Sequence, residues 1–188
     1  HFKTTINGLS HIYGQTTVPA CTSCNSAILN YLERNVKRFF NGWGHTDDFF
    51  SDDQIEDIIR WLEIIDYKFQ VFSLTRQFKA SKVTGYIPYL KDFPLSVLDP
   101  NIDYSPEKVI VQLREALNRI SVKSKIKGIN SLVIFKTSNK EITLFHKNND
   151  FIFIELPENN LALLYFFKRN FSDIIAARDA ALEMIKKY

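Results

Sequence analysis

The sequence predicts an α+β chain, with helices first, then an antiparallel β-meander and a C-terminal helix. Apolar residues recur at three- and four-residue steps through 25–42 and 52–69, the period of one helix face. Short apolar runs at 131–136, 141–146 and 151–155 are separated by polar turns, which is the pattern of successive hairpins. The tail from Ser172 to Tyr188 returns to a helical period.

The totals suit such a fold. A chain of 188 residues that is 45% hydrophobic and 24% charged has an ordinary globular composition. Its 16 Phe speak for a well-filled core and against long disordered tracts. The longest apolar run, Leu161 to Phe167, is about a third of the roughly 18 residues that a membrane span needs. With no signal-peptide pattern either, the reading is a cytoplasmic protein with no membrane partner. The net charge of +3 permits nucleic-acid binding without arguing for it.

Residues 1–20 are polar and lack a helical period. In the first helix Ile28, Leu29, Leu32, Val36, Phe39 and Phe40 form one apolar face, and Asn41-Gly42-Trp43-Gly44 ends it with glycines suited to a C-cap. Ser51 and Gln54 have capping-box spacing. They open a helix near Asp52 to Phe69, which sets Ile55, Ile58, Ile59, Leu62, Ile64 and Ile65 largely on one side. Four prolines from Pro88 to Pro106 make 86–103 a long loop. Ser105-Pro106-Glu107 starts a helix reaching about Val122. Strands at Ser131–Lys136, Glu141–His146 and Phe151–Glu155 follow as a meander, with turns at 137–140 and 148–150. In the last helix Ile174, Ile175, Ala177, Ala181, Leu182 and Ile185 point inward.

Chemistry concentrates at the two cysteines, Cys21 and Cys24. In a chain with no secretory signal, a lone CxxC suggests metal or redox chemistry rather than a structural staple. Two thiolates on a tight turn can share one tetrahedral Zn²⁺ at about 2.3 Å each. No preceding βαβ pattern supports a thioredoxin-like redox pair.

The stretch Val18-Pro19-Ala20-Cys21-Thr22-Ser23-Cys24-Asn25, followed by a helix, resembles the closing half of the HNH (ββα-metal) endonuclease motif. His1-Phe2-Lys3 stands twenty residues before Cys21, where that family places its strand-end His. Leu29-Asn30-Tyr31-Leu32-Glu33 looks like the helix of an HNH subgroup. The resemblance covers residues 1–42, and Thr16 replaces the Asn usual about five positions before the first Cys. It implies a partial, small ββα-metal element over 1–50, joined to a helical and antiparallel-sheet domain of unknown role over 51–188. Cys21 and Cys24 would hold a structural Zn²⁺, which in proteins of this type is completed by an earlier CxxC that these residues lack. Asn25 would be a ligand of a catalytic Mg²⁺ or Mn²⁺, stabilising charge on a scissile phosphate. His1 would be the general base that takes a proton from water. The implied activity is metal-dependent hydrolysis of phosphodiester bonds in DNA, in restriction or phage defence. The alternative is a non-catalytic zinc-containing module that binds nucleic acid or protein.

Arg34, Lys37 and Arg38 share one face of the first helix at i, i+3 and i+4 and are the candidate phosphate contacts. A solvated helix face explains them as well. The run Lys123, Lys125 and Lys127 is read the same way. His11, His45 and His146 are read as surface or packing residues. Asp52 and Asp53 suit a helix start, so the carboxylates Asp47, Asp48, Asp52 and Asp53 are not read as a metal site. The aromatic strands 151–154 and 165–167 are read as core. A protein partner or a homodimer is the remaining expectation, for the second domain.

Overall fold

The computed structural model describes residues 3–6, 9–12, 22, 26, 29–43, 50–80, 131–147 and 150–187. Side chains are described at 22, 26, 29–43, 50–66, 68, 131–147 and 150–187. The expected loop at 86–103, the helix from 105 and the basic run at 123–127 lie outside these residues. The fold is mixed α and β. In chain order the elements are β1 (Lys3–Ile6), β2 (Leu9–Ile12), α1 (Asn30–Gly42), α2 (Asp52–Ala80), β3 (Leu132–Lys136), β4 (Leu144–Lys147), β5 (Phe151–Leu156), β6 (Leu161–Phe166) and α3 (Ile174–Ile185). Among the described residues no helix is long and apolar enough to cross a membrane.

The six strands form one sheet in the order β2-β1-β4-β5-β6-β3. β1 runs parallel to β4, with Ile6 beside His146. Every other pair is antiparallel. The expected hairpin of 131–136 with 141–146 does not form, because β3 pairs with β6, with Leu132 opposite Tyr165 and Lys136 opposite Leu161. Two physical reasons stand behind this. All six residues of β6 are buried, so β6 needs a partner on each edge to satisfy its backbone groups. The 137–143 segment is not a tight turn and is held at the end of β5. There the Glu155 carboxylate accepts from Thr137 Oγ1 at 2.9 Å and Asn139 Nδ2 at 2.8 Å. The Glu155 N–H donates to Thr143 O at 2.8 Å.

The β4–β5 hairpin forms as expected. β5 and β6 join through a 3-10 turn, Pro157–Asn159, and Asn160 follows at φ 51°. Asn tolerates this left-handed conformation better than most residues. The N–H of Asn160 donates to Pro157 O, and its carbonyl accepts from the Thr137 N–H.

Alternation along the strands sorts their side chains onto two faces. Leu132, Leu144, Ile152, Ile154, Leu161, Leu163, Tyr165 and Phe167 join Leu32, Val36 and Phe40 of α1 and the buried residues of α2 in one core. Val133, Phe151, Phe153, Ala162, Leu164 and Phe166 form the opposite core with Ala177 and Ala181 of α3. The sheet is thus a middle layer between α1 and α2 on one side and α3 on the other. Burying each large apolar side chain contributes about 1.5–3 kcal/mol before entropy is counted. The residue-50 boundary falls between α1 and α2, two helices that pack in the same core.

α2 opens with the reciprocal capping box that its sequence announces. The Ser51 N–H donates to Gln54 Oε1 at 2.9 Å, and the Gln54 N–H donates to Ser51 Oγ at 3.4 Å. The helix runs eleven residues past Phe69, to Ala80, since no Gly or Pro interrupts 52–80. Its apolar residues do not form one stripe, because Leu62, Glu63, Ile64, Ile65 and Asp66 are all buried in succession. A helix buried all round is one enclosed by neighbours. α1 ends at Gly42 as its sequence announces, with Trp43 as an extended C-cap at φ −62° and ψ 132° whose N–H donates to Phe40 O. The Trp43 ring stacks on Phe50 at 4.6 Å. Phe40 sits edge-on to Phe50 and Trp61, and Asn159 Nδ2 donates to the Phe40 carbonyl. Packing and a side-chain donor reinforce this end of the helix, and Gly44 lies outside the described residues.

α3 also departs from expectation. Ala177 and Ala181 are buried, whereas Ile174 (54%), Ile175 (69%) and Leu182 (39%) are exposed. The inward face is the narrow strip that the crowded sheet admits, filled by small residues with Met184, Ile185 and Phe171 at its margins. Asp173 caps the helix by accepting the Ala176 N–H at 2.9 Å.

Candidate nucleic-acid interface

Of the residues singled out in the sequence, His1, Cys21, Cys24 and Asn25 lie outside the described residues. Arg34, Lys37 and Arg38 are on α1, and all three are exposed. Leu32, Val36 and Phe40 bury the other side of the helix. At about 100° per residue this turns Arg34 to solvent, with Tyr31 and Arg38 on one flank and Asn30 and Lys37 on the other. Helical geometry extends upstream of Asn30. Leu29 has φ −69° and ψ −49°, and Ser26 Oγ donates to Thr22 O at 2.7 Å, the back-bond of a helical turn.

An open cleft of about 490 Å3 runs along this side, lined among the described residues by Ser26, Asn30, Glu33, Arg34 and Lys37. Arg34 Nε donates to the Asn30 carbonyl at 3.2 Å, which lays the side chain along the helix. The Arg38 guanidinium sits 5.7 Å from the Phe39 ring centroid, within cation–π range. Glu33, the one acid among the described lining residues, is 3.6 Å from Lys68 of α2. That cation offsets its charge, so the surface stays basic. Hydroxyl, amide, guanidinium and ammonium groups in one open groove can receive a phosphate backbone.

Sequence reasoning missed a second polar group, which lies inside the molecule. His146 Nε2 and Asp66 Oδ1 are 2.7 Å apart, and both side chains are fully buried. The Tyr165 hydroxyl donates to Glu63 Oε1 at 3.0 Å. His146, Ile152 and Tyr165 occupy one row across β4, β5 and β6. Glu63 and Asp66 are one turn apart on the helix above it. The Phe167 ring fits edge-on against both His146 and Tyr165. His146 is therefore a packing residue, in keeping with the reading of its sequence position. The signal for its partners was present as two carboxylates, i and i+3, embedded among Leu62, Ile64 and Ile65. Carboxylates are almost never fully buried unless paired. Buried in this way, the group joins α2 to the sheet.

Among the described residues, no three His, Cys, Asp or Glu side chains are placed to hold a metal ion. The donor set that a zinc reading relies on, two thiolates, is half a tetrahedral shell. No protein-family model, curated protein or solved structure matches the chain.

Proposed function

We propose that this chain is a metal-dependent endonuclease of the HNH kind acting on DNA, with α1 as its phosphate-facing surface. The observation that carries the reading is the basic side of α1. Arg34 and Lys37 line an open cleft with Ser26 and Asn30, directly after Cys24-Asn25 in the chain. An antiparallel strand pair, β1 and β2, also precedes that helix in the chain, after His1 and at the edge of the six-stranded sheet.

In this proposal Cys21 and Cys24 hold Zn²⁺ together with ligands from elsewhere. Asn25 would present its amide oxygen to a Mg²⁺ or Mn²⁺, and the bound cation would offset charge developing on the phosphate. His1 would accept a proton from the attacking water. Arg34, Lys37 and Arg38 would hold the flanking phosphates, a contact that added salt weakens. Restriction or phage defence is the setting that the resemblance suggests.

The test is nicking of supercoiled plasmid with Mg²⁺ or Mn²⁺. His1→Ala should slow nicking by about 10²–10⁴-fold, the usual contribution of a general base. Asn25→Ala should abolish it, with zinc content unchanged in both variants. A wild-type protein that holds zinc and binds plasmid but never nicks would be the non-catalytic zinc module instead.

A further inference from the structure

Tyr31 is the feature of α1 that the phosphate reading leaves unused. It is 60% exposed, the second-highest value among the large apolar side chains of the described residues, and lies on the same outward side as Arg34 and Arg38. Residues 31, 34 and 38 stand at i, i+3 and i+7, so the ring lies one turn from Arg34 and two turns from Arg38 along the same side. Among the described residues of α1, no acidic side chain interrupts the stripe. Glu33 sits at its far margin beside Lys68, and Asn30 and Asn41 are neutral. A duplex presents phosphates to such a helix and keeps its bases stacked away. An exposed ring among cations adds something only when an unpaired base can lie on it.

We propose that the outward face of α1 binds single-stranded nucleic acid, with one base stacked on Tyr31 and the adjoining phosphates held by Arg34, Lys37 and Arg38. This rests on the nucleic-acid reading above but not on cleavage. It narrows the substrate to single strands or locally unpaired segments. The cleft beside Arg34 and Lys37 gives the backbone a track, and Tyr31 gives a base its platform. Stacking is indifferent to base identity, because every base has a π face. The contact selects strandedness, not sequence.

The experiment is fluorescence anisotropy of a labelled mixed-sequence 20-mer, single-stranded or as its duplex, titrated with the whole chain and no added divalent cation. The single strand should bind more tightly than the duplex. Tyr31→Ala should weaken single-strand binding about 5- to 100-fold, the range for losing one base–aromatic stack, and leave duplex binding within about twofold. Tyr31→Phe should restore single-strand binding. Lys37→Ala should lower the slope of log affinity against log salt by about 0.7 for the single strand. Lys140→Ala, in the exposed 137–143 segment, should change neither. Equal binding of the two forms, or an unchanged Tyr31→Ala, would overturn the proposal. So would competition by poly-glutamate as strong as that by single-stranded DNA, which would mark an acidic-polypeptide surface. Single-strand binding that needs Tyr31 in a protein that never nicks would sink the nuclease reading and leave this one standing. Nicking that ignores Tyr31 would do the reverse.

Discussion

The two faces of the sheet are built on different terms. Beneath α1 and α2 the core is wide and mixed, with Glu63–Tyr165 and Asp66–His146 joining large aliphatic side chains between helix and strands. Beneath α3 the helix offers the sheet two alanines, which meet Phe151, Phe153, Leu164 and Phe166. Among the described residues no ionisable side chain is buried on that side, and the Arg169 guanidinium lies over the Phe166 ring at 5.2 Å. An apolar interface is satisfied by any arrangement that excludes water. A buried ionisable pair is satisfied in one arrangement alone, since each partner leaves a costly orphan when displaced. The first face therefore fixes the register of α2 on the strands, and the second sets only how closely α3 approaches.

The contrast is broken most severely at the buried pair. Asp66→Ala and His146→Ala should each lower unfolding stability by about 1–3 kcal/mol, because each removes one side of a buried hydrogen bond. Asp66→Leu combined with His146→Phe should cost much less than either. Urea titration of the four proteins decides the matter. If the single variants lose less than about 1 kcal/mol, the pair does not hold the register as described.

On the α3 side the sensitive quantity is room. Ala181→Leu should cost about 1–3 kcal/mol through overpacking against the sheet, whereas Ile175→Ala on the exposed side should stay within about 0.5 kcal/mol. Thermal melts of both variants test which side faces inward. Swapped results would mean that α3 is rotated.

The smallest effect lies at the α3 cap. The Ala176 N–H, and then the Ser172 hydroxyl, hold the Asp173 carboxyl below the ordinary carboxylate range. A carboxyl with a lowered folded-state pKa stabilises the fold above its unfolded value of about 3.9, and that contribution disappears as pH falls through the folded value. Asp173→Ala should thus melt slightly below wild type at neutral pH, with the gap closing in acid. A gap that is constant with pH would mean the charge plays no part.

Particular elements show where sequence reading stopped. The capping box at Ser51 and Gln54, the β4–β5 hairpin and the buried stripe of α1 were all legible, because each depends on residues within one turn or one hairpin of each other. The partner of β3 was not. Neighbouring strands with a polar segment between them normally form a hairpin, and only the link from 137–139 to Glu155 and the demand of β6 for two neighbours override that. The inward side of α3 was misjudged for a similar reason. Its isoleucines are more hydrophobic than its alanines, but the aromatic side chains of the sheet admit Ala177 and Ala181 at the centre of the contact. At the candidate interface, Arg34, Lys37 and Arg38 were legible as one helix face. Tyr31 beside them was quoted only as part of a motif, because exposure is a property of the packed molecule.

The sequence by itself determined α1, the start of α2, the strands β3, β4 and β5 and the C-terminal helix, and that α1 carries its cations on one side. These follow from backbone preference and periodicity, forces that act over a few residues. Only the tertiary structure decided the strand order, the burial of Glu63 and Asp66 against Tyr165 and His146, and the exposure of Tyr31 and Ile175. Each of these depends on residues distant in the chain competing for the same space and the same hydrogen-bonding groups.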